Sequence, residues 1–142
     1  MATERAADFE ISDWSDGEAS AFMDTEWPAY DAPLGLKWES HDVTLVGRVQ
    51  GKAVGAARGM VAGGLGILGQ LLVKKAVARS GIGSRLLLEF EARCKALRCH
   101  KIRLETGDYQ ARPFYERHGF SVVATLTNDR FGRTFFVMEK RL

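Results

Sequence analysis

The chain has 142 residues, 46% of them apolar and 27% charged, with a formal net charge of +2. That length suits one domain with its own core, and the composition excludes a disordered or collagen-like chain. The charge is segregated: residues 1–42 carry eleven acids and two bases, a net of −9, whereas residues 43–142 carry seven acids and eighteen bases, a net of +11.

In chain order, residues 9–12 alternate apolar and polar, which predicts a short strand. Residues 15–26 place Ala19, Phe22 and Met23 at helical spacing, with Ser15 or Asp16 as N-cap. Two prolines and two aromatics at 27–33 predict a loop or a broken short helix. Strands are expected at 43–49, 53–62 and 65–73, parted by the turns Gln50-Gly51-Lys52 and Gly63-Gly64. The apolar run of Ile67, Leu68, Leu71, Leu72 and Val73 predicts a strand buried on both faces. Residues 81–98 form the clearest helix, with one stripe through Ile82, Leu86, Phe90, Cys94 and Leu97. A strand at 100–105, a short helix at 109–118 stopped by Gly119, and strands at 120–126 and 135–140 complete an α/β pattern with a mainly antiparallel start.

No run of 18 apolar residues occurs, so no membrane-spanning helix is expected. The polar N-terminus does not read as a secretory signal. Cys94 and Cys99 have no second pair, which fits neither a disulfide framework nor a zinc knuckle, so the expected compartment is the reducing cytoplasm. His41, His100 and His118 fall on different elements, so no metal site is expected.

The segment carrying chemistry is the buried strand ending at Leu71-Leu72-Val73, its basic loop, and Gly81-Ile82-Gly83-Ser84 opening the long helix. Helix N-terminal amides lack intrahelical partners and sit at the positive end of the dipole. Glycines let an anion approach them, so the turn suits phosphate, with Lys74, Lys75, Arg79 and Arg85 nearby. A dinucleotide fingerprint needs a third glycine where Leu86 stands, and a Walker loop needs Gly-Lys-Ser/Thr where Gly83-Ser84-Arg85 stands.

The stretch resembles the acetyl-CoA loop of the GNAT superfamily of N-acetyltransferases, Arg/Gln-x-x-Gly-x-Gly/Ala after an apolar strand. Gly81 and Gly83 match, while Ala78 stands at the first motif position and Arg79 one place later. A second family pattern, Asn-x-x-Ala-x-x-φ-Tyr followed by Gly-Phe, is met by Ala111, Phe114, Tyr115, Gly119 and Phe120, with Asp108 in place of the asparagine.

The resemblance implies a single acetyltransferase domain over residues 1–142. Its fold would be α/β, a twisted mixed sheet flanked by helices and splayed between the fourth and fifth strands. It implies acetyl-CoA as co-substrate without a metal, its pantetheine along Leu71, Leu72 and Val73. The pyrophosphate would lie over Arg79, Ser80, Gly81, Ile82, Gly83 and Ser84, with Asp108 counted among the cofactor-binding residues. Direct attack by an amine is implied, with Tyr115 as general acid. Glu105 is a candidate base, with Glu26 and Asp31 as others, and each of the three is also readable as an ordinary solvated carboxylate. Trp27, Tyr30 and Trp38 are candidates for the acceptor pocket or for a lid over the core. The acidic N-terminal part flanks the acceptor in the family, which favours a cationic amine, small or peptidic. Two other readings stand beside this one: a non-catalytic acyl-CoA-binding regulatory domain, and transfer to an RNA-borne amine, although nucleic acid is the less favoured partner. Homodimers are common in the family.

Overall fold

The structure is a computed structural model that describes residues 8–142. The chain divides into a small unit reaching to Lys37 and a main unit, Trp38–Leu142. In the small unit, Ser15 caps helix α1 (Asp16–Glu26) by accepting from the Glu18 amide, and its hydroxyl donates to the Glu18 carboxylate at 2.8 Å. This reciprocal pair satisfies an amide that the helix leaves open. Pro28 then starts the short helix α2 (Pro28–Asp31), and a single 3-10 turn, Ala32–Leu34, ends at the left-handed Gly35. The proline-rich segment is thus a broken helix. Residues 9–12, expected as a strand, form none. An alternation of four residues is too short to hold a ladder by itself, and its acidic neighbours Asp8 and Asp13 keep it in water.

The main unit is one six-stranded sheet in the order β1-β2-β3-β4-β6-β5. Strands β1 (His41–Val49), β2 (Lys52–Ala62) and β3 (Leu65–Val73) form an antiparallel meander through tight turns. Helix α3 (Ile82–Ala96) crosses over to β4 (Lys101–Gly107), which lies parallel to β3. Helix α4 (Arg112–Arg117) leads to β5 (Ser121–Leu126), and a hairpin returns as β6 (Phe135–Arg141) between β5 and β4. The shortened α4 starts late because Pro113 suits only a first helical turn.

The stripe of α3 packs on one sheet face. Leu86, Leu87, Phe90 and Cys94 are buried together with Ala57, Leu68, Ile102, Leu104 and Met138. Gly59 permits this approach: a Cβ there would lie 2.1 Å from the Ile67 carbonyl oxygen and 2.8 Å from the Phe90 ring. The β2–β3 register shifts between Arg58 and Gly59, a bulge that accommodates the crowding. At the edge of this core the carboxylate of Glu91 is buried and bonded to Lys140 Nζ at 2.9 Å.

One expectation needs correction. β3 is not buried on both faces: Ile67 is 37% and Leu72 75% exposed. Its apolar run includes the wall of a cavity on the face away from α3. The splay falls between the expected segments, now β3 and β4, which are the third and fourth strands because none forms at 9–12. These pair only from Leu65 opposite Lys101 to Leu68 opposite Leu104, although β3 continues to Val73 and β4 to Gly107.

Candidate active site

Where β3 and β4 part, two cavities open, and their linings come from the main unit. One, of about 530 Å³, runs past Leu71 and Val73 to the start of α3, where Ala78, Arg79, Gly81, Gly83 and Ser84 line it. The other, of about 500 Å³, lies over the outer sheet face and is lined by Leu68, Leu71, Leu72, Leu104 and Glu105 among others. Leu71, Ala111 and Tyr115 line both. Their shared wall makes the two cavities neighbours at the split.

The first cavity ends on unsatisfied amides. Gly81 is the N-cap of α3 at φ 87°, a left-handed conformation that glycine adopts without a Cβ penalty. It offers no side chain to the helix, so the amides of Ile82, Gly83 and Ser84 have neither an intrahelical partner nor a side-chain cap. The Ser80 hydroxyl donates to the Val77 carbonyl and so stiffens the loop. Arg79 takes a left-handed φ of 66°, and Arg117 of α4 lines the same cavity. Lys74, Lys75 and Arg85 are not in its lining.

The loop from β4 to α4 is held by its own side chains. Gln110 Oε1 accepts from the Gly107 amide at 2.6 Å, and Thr106 Oγ1 accepts from the Ala111 amide at 3.3 Å. Asp108 accepts from Arg133 Nε at 2.8 Å and from the Thr134 amide at 3.4 Å, and it lines neither cavity. This anchoring presents α4, and with it Tyr115, to the split.

Tyr115 is only 8% exposed and its ring packs against Phe114 and Phe120 at centroid distances of 5.1 and 5.8 Å. Burial pushes its phenol above the usual value of 10 by penalising the anion. The phenol is therefore a protonated donor at neutral pH. Glu105, on β4, lines the outer cavity and accepts from Arg130 at 2.8 Å. Arg130 in turn lies over the Phe135 ring, 4.0 Å from its centroid, and pairs with Asp129 at 3.2 Å. Trp27 and Tyr30 belong to the small unit, where their rings meet edge-on at 6.1 Å and are 56% and 73% exposed. His118 closes α4, its Nδ1 lying 2.8 Å from the Phe114 carbonyl oxygen. Among the described residues, no cluster of three or more His, Cys, Asp or Glu side chains could hold a metal ion.

Sequence reasoning passed over Arg58, Arg117 and Arg130. Arg58 and Arg117 reach the cavities through cross-strand register and helix packing, and Arg130 meets Glu105 across 25 residues of chain, so no local pattern marks them.

A model of the Acetyltransferase (GNAT) family matches residues 7–120. The chain belongs to this family. A stretch of 64 residues, 44% of the chain, is 36% identical to the blasticidin-S acetyltransferase of Streptomyces morookaense, and the match spans 47% of that protein, about half its length. The chain is similar in structure to an acetyltransferase from Bacillus cereus ATCC 14579, with a TM-score of 0.81 and 26% identity over 94% of this chain and 98% of that one. The N-acetyltransferase PaiA of Thermoplasma acidophilum, solved with coenzyme A, shares the GNAT fold at a TM-score of 0.61 and 19% identity, over 91% of this chain and 80% of that one. No helix of the described chain is long and apolar enough to cross a membrane.

Proposed function

We propose that this GNAT protein transfers the acetyl group of acetyl-CoA to a primary amine by direct attack, with residues 1–142 working as one catalytic domain. The observation that carries the reading is the pair of cavities meeting at Tyr115, one of them ending on the bare amides of α3. An anion as strong as the CoA pyrophosphate is stabilised by those amides and the helix dipole, with Arg79 and Arg117 beside them. The apolar wall of Leu71 and Val73 suits pantetheine, whose amides can pair with β3 backbone left free by the parting of β4. Asp108 acts at one remove, through its bonds to Arg133 and Thr134, by fixing the loop ahead of α4.

In the transfer, the amine nitrogen attacks the thioester carbon, a C–N bond forms and the C–S bond breaks. The Tyr115 phenol gives its proton to the leaving sulfur, whose conjugate thiol has a pKa near about 8.5. The amine proton passes to Glu105, directly or through water, and Arg130 orients that carboxylate. The net −9 of residues 1–42 favours approach of a cationic amine.

The test is release of free thiol from acetyl-CoA across a broad panel of amines. Thiol release that requires an amine and yields the acetylated product supports the transferase. Binding of acetyl-CoA with no turnover of any amine would instead favour a regulatory binding domain.

A further inference from the structure

The outer cavity holds a cation that acetyl transfer does not use. Thr44, Arg58 and Gln70 stand opposite one another across β1, β2 and β3, and all three line the cavity. Arg58 Nε donates to Gln70 Oε1 at 2.7 Å. This bond spends one edge of the guanidinium on a neutral amide, and within the main unit its two terminal nitrogens make no side-chain hydrogen bond. Arg58 bonds no carboxylate in this unit, and it is held at Nε by an uncharged partner on the adjacent strand. Glu105 is the one carboxylate among the described lining residues, and Arg130 already occupies it. The guanidinium therefore lines the cavity without a carboxylate partner in the main unit, on a fork held in place by its neighbour. A planar fork with two free donors is matched by a carboxylate or phosphate, which accepts both bonds at once.

We propose that the acceptor carries an anionic group, a carboxylate or a phosphate, on the same molecule as its amine, and that Arg58 binds that group while Gln70 positions the guanidinium. The proposal rests on the acetyltransferase reading and narrows its substrate class to amines that are also acids. The amine end meets Tyr115 and Glu105 at the split, and the anionic end lies toward β2.

The test uses matched acceptors with acetyl-CoA and the full-length protein: β-alanine against propylamine, and O-phosphoethanolamine against ethanolamine. Wild type is expected to favour the anionic member of at least one pair by roughly 10- to 100-fold in kcat/KM, the range of a charge-assisted bidentate contact. The pair that shows the preference identifies the anion. Arg58→Met should abolish the difference chiefly through KM, Arg58→Lys should restore part of it, and Gln70→Ala should weaken it in the same direction. Equal turnover of both members by wild type overturns the proposal, as does a preference that survives in Arg58→Met. If no amine is acetylated at all, the transferase reading fails first and this proposal with it, so thiol release from any amine separates the two failures.

Discussion

Replacing Tyr115 by Phe removes one oxygen atom and leaves the aromatic packing in place. The ring contacts with Phe114 and Phe120, at 5.1 and 5.8 Å, are kept. The phenol oxygen makes no side-chain hydrogen bond in the main unit, so its loss leaves no buried partner unsatisfied and the fold should lose less than about 1 kcal/mol. Catalysis should suffer far more. A positioned general acid contributes about 10²- to 10⁴-fold, equivalent to roughly 3–5 kcal/mol of barrier. Steady-state thiol release should therefore show kcat falling by at least about 100-fold, with CoA affinity held within about threefold. The pH profile supplies a second reading. Because burial raises the phenol above its ordinary value of 10, wild-type kcat should show no fall from loss of this acid below pH 10. A Tyr115→Phe enzyme with near wild-type kcat would refute the role, and so would a descending limb below pH 9 that the substitution removes.

Other perturbations follow from the same geometry. Lys140→Met strands the buried Glu91 carboxylate and should cost about 3 kcal/mol in denaturant unfolding, most of it recovered in the double variant with Glu91→Met; a loss under about 0.5 kcal/mol would show the pair to be unimportant. Gly81→Ala meets open space but must hold φ at +87°, so denaturant unfolding should show a loss of about 1–2 kcal/mol; an unchanged unfolding midpoint would contradict the left-handed turn. Burial first, and then neighbouring Cys99, pushes the Cys94 thiol up to about 12 from 9.0. The folded chain thus holds a proton that the unfolded chain releases, and stability is lost as pH rises from 9 toward 12. The melting temperature of wild type should drop more steeply over that window than that of Cys94→Ala, and parallel curves would contradict the assignment.

Elements with strong local signals were legible in the sequence. The glycine turns between β1, β2 and β3, the stripe of α3 and the Gly-x-Gly loop each write their geometry into a few consecutive residues. The alternation at 9–12 misled because a strand exists only with a partner, and four residues carry no record of one. Leu72 misled for a related reason: a strand facing an open cavity is as apolar as one facing a helix, so composition alone cannot separate them. The polar side of the site was the least legible. Arg58 reaches Gln70 only through the β2–β3 register, next to a bulge, and Glu105 reaches Arg130 through a hairpin that returns from the far edge of the sheet. Such contacts depend on topology, which one sequence discloses only through the family resemblance.

In the proposed complex, CoA lies in the split between β3 and β4 with its sulfur at Tyr115. A crystal structure with bound CoA tests it directly. Pyrophosphate is expected on the amides of Ile82, Gly83 and Ser84, pantetheine along Leu71 to Val73, and the sulfur within hydrogen-bond reach of Tyr115 Oη. Coenzyme bound outside the split, or a sulfur facing away from Tyr115, would contradict it.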